Sequence, residues 1–241
     1  MIGRLTLVTV GLLAASVPPA FGLWRRYGGR AGSRFAVGAG ATILAQQTLV
    51  GMAASRKDAR LTPVDAMTLS RGLAAAVLAG LVVSGVRHRG GLAGWLGWIS
   101  IVYGSIVCDW LDGPIARRLG MTSELGALLD LESDSWLTLA SASSATTLGG
   151  LPAFCMAAPL ARYAVLMAAM RKIPYDQVFA DEPAWARPIG IAQMALFTAA
   201  TAPFGGSGTR AAVRLAAPII ASAQLLGMFF LYRRSQRRFA T

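Results

Sequence analysis

Residues 109–134 read DWLDGPIARRLGMTSELGALLDLESD and hold six of the chain's eleven acidic residues. The segments on either side, 90–108 and 135–161, carry no charge at all. Burying one aspartate at bilayer depth costs roughly 3 kcal/mol, and carboxylates that face one another also repel. Such a cluster persists only where something cationic neutralises it. The whole chain has one histidine and two cysteines, so oxygen ligands are what a site here can offer. A hard divalent ion such as Mg²⁺ is the first candidate.

Spacing sharpens the reading. Asp109, Asp112, Gly113, Ala116 and Arg117 fall within about 140° of arc on one helix. Gly126, Asp130 and Asp134 recur every fourth residue and form a stripe on the next. GMTSE between them is a turn, with Ser123 and Glu124 starting the second helix. Two antiparallel helices thus present two carboxylates each across a small gap. A pair of divalent ions fits such a clamp, and two-metal sites serve in-line phosphoryl displacement.

Composition places these helices in a membrane. The chain is 55% hydrophobic and 14% charged, with a mean hydropathy of +0.53, against about 25% charged for a typical soluble domain. One helical membrane domain suffices for 241 residues, and no soluble domain is evident. The net charge of +12 comes almost wholly from arginine, which clusters at span ends and sets orientation. Nucleic-acid binding would need a soluble basic face with a recognisable module, and the sequence has none. Cys108 and Cys155 lie in apolar segments and read as small core residues.

Asp109-x-x-Asp112-Gly113-x-x-Ala116-Arg117-x8-Gly126-x-x-x-Asp130-x-x-x-Asp134 resembles the signature of the CDP-alcohol phosphotransferase family at every fixed position. The resemblance is firm across 61–134, looser beyond, and does not reach the first fifty-odd residues. It implies an all-α integral membrane fold with six core transmembrane helices, preceded here by one or two extra N-terminal membrane segments. The corresponding division is an N-terminal membrane-associated extension, 1–60, and a transmembrane phosphotransferase domain, 61–241. The resemblance assigns metal ligation to Asp109, Asp112, Asp130 and Asp134, with two Mg²⁺ ions (Mn²⁺ as a substitute). Asp134 also serves as proton acceptor. Ser123 sits where the family often has a hydroxyl residue touching the nucleotide. Family members are usually dimers.

Gly113 and Ala116 lack bulk, which lets a nucleotide approach the helix backbone, and Arg117 can pair with a diphosphate. Glu124 and Glu132 lie off the fixed positions and read as solvated or as supporting the ligands. Upstream, LTPVDAMTLSRG puts Pro63 at a helix entrance, followed by an apolar run to Val86. Asp65, Thr68 and Arg71 match a family pattern at the start of its first core helix, which implies that residues 65–68 contact the CDP moiety. Without the family, Asp65 would be an ordinary cap with Thr68 bonding back to its own helix.

Residues 1–24 are apolar and end at Arg25-Arg26. A retained membrane segment is favoured over a signal peptide, and Pro18-Pro19 is expected to weaken its last turns. Residues 35–55 are uncharged and long enough to cross the bilayer, although Gln46-Gln47 sits in the middle. Both its flanks are basic, so spanning and lying at the interface both stay open. His88, the only histidine, falls in a loop and reads as solvated. Core helices are expected at about 92–118, 123–150, 152–170, 188–204 and 211–232, with a polar loop at 172–187.

With the 61 end cytosolic, six crossings put 117–118, 171–187 and 233–238 on the cytosolic side, leaving Arg87, Arg89 and Arg210 opposite. That obeys the positive-inside rule and brings the aspartates to the cytosolic face of the cell membrane. Arg162, Arg171 and Arg187-x5-Gln193-Met194 resemble the branch that uses glycerol phosphate, although that branch usually has Lys where Arg187 stands and Thr where Gly190 stands. These arginines either bind an acceptor phosphate or snorkel at the interface.

The leading reading is a phosphatidyltransferase that moves phosphatidyl from CDP-diacylglycerol to a small polar alcohol, glycerol 3-phosphate first, with release of CMP. The reverse arrangement, a soluble CDP-alcohol with a diacylglycerol acceptor, shares the same motif. A carboxylate-lined transporter would need charges spread through the bilayer depth and often an internal repeat, neither of which the sequence shows.

Overall fold

A computed structural model describes residues 2–54, 62–86, 91–121, 124–169 and 185–238. Among them the fold is all α, as expected, with no strand. Two helices precede residue 61: α1 (Ile2–Tyr27) and α2 (Gly29–Ala54). Six follow it: α3 (Asp65–Ser84), α4 (Gly91–Leu119), α5 (Glu124–Thr147), α6 (Ala157–Ala169), α7 (Ala186–Thr201) and α8 (Ser207–Arg238). A 3-10 turn, Ala153–Met156, leads into α6. Five stretches are long and apolar enough to cross a membrane: Thr6–Tyr27, Gly29–Met52, Asp65–Ser84, Gly94–Leu119 and Ser207–Arg234. The apolar parts of α6 and α7 are shorter, and α5 carries Glu124, Asp130, Glu132 and Asp134. His88 and most of the 172–187 loop lie outside the described residues.

The chain divides into two compact units, Met1–Ser141 and Ala142–Thr241. In the first, α1 and α2 form a hairpin about Gly28, whose φ of +91° is open to glycine at little cost. Contrary to expectation, α1 runs unbroken through Pro18 and Pro19 to Tyr27. Packing explains this: Gly32 of α2 lies so close to Ala20 and Trp24 that a Cβ there would sit 2.9 Å from the Ala20 carbonyl. Tertiary contact beyond the prolines thus holds the turns that proline alone would loosen. α2 begins at Gly29, taking Arg30 and Arg34 into its first turns.

Phe35, Ala39 and Ile43 recur every fourth residue on the inner face of α2 and are fully buried with Ala76 of α3, in one cluster with Leu12 of α1. Where α2 crosses α3, small residues let the backbones meet. A Cβ on Gly80 would lie 2.8 Å from the Phe35 ring and 2.9 Å from its carbonyl oxygen. A Cβ on Gly38 would lie 2.9 Å from the Val83 side chain. Close approach of this kind is how helices gain dispersion contact where lipid removes the hydrophobic drive. Further along, Val50 of α2 packs with Leu125 and Leu129 of α5. Gln46 and Gln47 are both buried, and the Gln46 amide donates to the Gly72 carbonyl at 3.2 Å. The polar pair in the middle of this apolar segment therefore faces protein.

In the second unit, α5 ends at Thr147, and the chain turns at Gly150 (φ +66°) with the Leu151 N–H donating to the Ala145 carbonyl. α8 packs against both α6 and α7. Leu166, Phe197, Ala217 and Ala221 are among its buried residues.

Candidate active site

The site begins at the entrance of α3. Asp65 is buried, and its Oδ2 accepts the Thr62 N–H at 2.6 Å, closing the turn that starts the helix. Thr68, one turn on, does not bond back to its own helix. Its hydroxyl donates to Asp112 Oδ2 of α4 at 3.3 Å, while its carbonyl accepts the Ser133 hydroxyl of α5 at 3.1 Å. One turn of α3 is therefore fastened to both acidic helices.

α4 stops where the sequence has Gly120. At φ +62° this glycine is left-handed. The Met121 N–H reaches back to the Ala116 carbonyl at 2.9 Å and the Gly120 N–H to Arg117 at 3.4 Å. That paired pattern caps a helix C-terminus and reverses the chain. It returns α5 with its aspartates toward those of α4. Asp109, Asp112 and Asp130 each offer a carboxylate oxygen, all within 4.8 Å of one another. Asp134 stands one turn beyond Asp130 on α5. Side-chain exposure rises from 11% at Asp112 through 26% at Asp109 and 43% at Asp130 to 52% at Asp134. Asp112 is thus the deepest of the four, and Asp134 the most open to an incoming group.

One residue binds the cluster together. Arg71 of α3 is 1% exposed. Its Nη1 donates to Asp109 and its Nη2 to Asp130. It also lies 3.4 Å from Asp134 and 3.7 Å from Asp112. Sequence reasoning matched Arg71 to a pattern but gave it no role. Its partners are 38 and 59 residues away, so no local spacing announces them.

The residues present fit a divalent ion. The donor set is all carboxylate oxygen, three of the four groups already converge, and a buried cation is lodged among them, which shows that the site draws positive charge. Hard oxygen donors at this density suit Mg²⁺ or Mn²⁺.

Beside the cluster, the Arg117 guanidinium folds along Gly113, where a Cβ would stand 3.3 Å from Nη1. Arg117 is exposed and Ala116 partly so, leaving this edge of α4 accessible. Glu132 is buried at 2% exposure, so the solvated alternative fails for it. It lines a small cavity with Gln46, Gln47, Gly72 and Ser133, on the side of α5 facing α2. Ser123, Arg171 and the side chains of Glu124 and Arg187 lie outside the described residues. Arg162, on α6, belongs to the second unit.

A family model described as CDP-alcohol phosphatidyltransferase matches residues 61–231. Searches of curated proteins and of solved structures find no match. The matched span covers most of the chain and contains every signature carboxylate gathered at α4 and α5, so this membrane protein belongs to the CDP-alcohol phosphatidyltransferase family.

Proposed function

We propose that the chain transfers phosphatidyl from CDP-diacylglycerol to a small polar alcohol, glycerol 3-phosphate foremost, and releases CMP. The observation that carries this is the convergence of Asp109, Asp112 and Asp130, with Asp134 more exposed one turn away. Asp109, Asp112, Asp130 and Asp134 would hold two divalent ions, Mg²⁺ foremost, which supply charge neutralisation for the donor's phosphate oxygens.

The remaining roles fall to the chain itself. Arg117 pairs with the donor diphosphate from the exposed edge of α4, where Gly113 and Ala116 leave room for the nucleotide. Thr68, Asp65 and Ser123 complete the donor side. Asp134 takes the proton of the acceptor hydroxyl as its oxygen bonds to phosphorus. The bond from that phosphorus to the bridging oxygen breaks, and CMP leaves with the electron pair. The acceptor phosphate is assigned to Arg162, Arg171 and Arg187 in this reading, as the family resemblance implies.

The cluster faces the cytosol in this reading. Arg214 joins Arg87, Arg89 and Arg210 opposite, still fewer than the nine cations at 117–118, 171–187 and 233–238. The catalytic domain is 61–241, preceded by the 1–60 extension, and the working unit is a homodimer in the cell membrane.

The test is CMP release from labelled CDP-diacylglycerol in proteoliposomes, against a panel of alcohol acceptors. Release with glycerol 3-phosphate, abolished by excess chelator and restored by Mg²⁺, is expected. Release only from a soluble CDP-alcohol with diacylglycerol would reverse the direction of the assignment. Full release after verified metal removal would overturn the metal reading.

A further inference from the structure

Four carboxylates surround a single guanidinium, so the cluster retains a formal charge of about −3 after Arg71 is counted. Arg71 is not an interfacial cation: it is 1% exposed, and it comes from α3 to meet α4 and α5. Its rigid fork sends one nitrogen to Asp109 and the other to Asp130. Asp134 at 3.4 Å and Asp112 at 3.7 Å lie beyond ordinary hydrogen-bond length, so they feel its charge without a full bond. Among the described residues Arg71 Nε has no hydrogen-bond partner. The hydrogen bonds of the fork go to Asp109 and Asp130, with Asp112 and Asp134 as its ion-pair neighbours.

A divalent ion held by Asp109, Asp112, Asp130 and Asp134 would draw on the same carboxylate oxygens. An oxygen that accepts a charge-assisted N–H bond has less electron density to give a metal, and a second cation beside the first is repelled. We propose that Arg71 is a resident counter-cation of the aspartate cluster, which gathers α4 and α5 before metal arrives and competes with the ions for Asp109 and Asp130. Metal loading loosens at least one of its two carboxylate bonds, so Arg71 sets how much free divalent ion the site needs. This rests on the cluster being the metal site proposed above.

The test compares the full chain with Arg71→Gln and Arg71→Lys in detergent, reading Mn²⁺ binding by electron paramagnetic resonance and thermal unfolding by tryptophan fluorescence. Arg71→Gln is expected to unfold at a lower temperature in chelator yet bind Mn²⁺ about tenfold more tightly, as follows when a competing charged hydrogen bond is removed. Saturating Mn²⁺ should close the stability gap. Arg71→Lys keeps the charge without the fork and should fall between. A merely structural arginine would lower metal affinity and stability together, so Mn²⁺ affinity unchanged or weakened in a folded variant overturns the proposal. Should Arg71→Gln not fold, Arg71→Lys decides by the same sign. If the unaltered chain binds no Mn²⁺, the metal reading falls with it; if it binds and the variants match it, only the role of Arg71 falls.

Discussion

Asp130 and Asp134 share one stripe of α5 but not one environment. Asp130 is bonded to Arg71 and within reach of Asp109 and Asp112, whereas Asp134 is half exposed and only 3.4 Å from the guanidinium. Asp130→Asn is therefore expected to lose Mn²⁺ affinity along with rate. Asp134→Asn should keep more metal and donor binding yet lose turnover by about 10²–10⁴-fold, the usual cost of a missing general base. Mn²⁺ titration and CMP release separate the two; near-parent turnover in Asp134→Asn would remove it as the base. Arg117→Ala should raise the KM for the donor without changing thermal unfolding, because the side chain is exposed beside Gly113. Unchanged donor kinetics would make it an interfacial charge. The aspartates were legible because helical period alone puts them on facing stripes. Arg71 was not, because what defines it is a meeting of three helices.

At the scale of the element, what the sequence shows least well is contact across helices. The boundaries of α4 and α5 lie close to expectation because Gly120 and Gly150 punctuate them with left-handed turns. Pro18-Pro19 misled for the opposite reason: proline's local effect is visible in sequence, whereas the packing of Gly32 on Ala20 and Trp24 that overrides it is not. The α2–α3 crossing is the sharpest case. Gly80 sits mid-helix, where alanine would ordinarily be preferred by about 1 kcal/mol, but its missing Cβ is what admits Phe35. Gly80→Ala is expected to destabilise the chain by about 1–3 kcal/mol, the range for overpacking a close contact. Gly97→Ala on α4, where a Cβ meets nothing within 4 Å, is the matched control and should leave unfolding unchanged or slightly raised. Unfolding in detergent at fixed lipid content reads both. Equal behaviour would show that the crossing tolerates a methyl group and that closeness there is incidental.

At the scale of the whole chain, the family match begins at residue 61, yet the packing around the site does not. α2 places Phe35 and Ile43 against α3, and Val50 against Leu125 and Leu129 of α5. Gln46 donates to the carbonyl of Gly72, the residue after Arg71. A chain beginning at residue 61 would keep every signature aspartate, but it would expose the α2-facing sides of α3 and α5. Lipid can cover the apolar part of those faces. It cannot replace the hydrogen bond that the Gln46 amide gives the Gly72 carbonyl, and covering the buried Glu132 side of α5 with hydrocarbon is costly at membrane depth. The shortened chain is therefore expected to unfold well below the full one in the same detergent and to lose Mn²⁺ affinity, because Val50 would no longer pack on Leu125 and Leu129 and the aspartates of α5 would not be held facing those of α4. Supplying residues 1–60 as a separate polypeptide during expression should restore both properties, since α1 and α2 reach the rest of the fold by contact and the link at 55–61 need not be covalent for that contact to form. A chain of 61–241 that melts with the full protein and binds Mn²⁺ equally would show that α2 lies against the catalytic helices without supporting them.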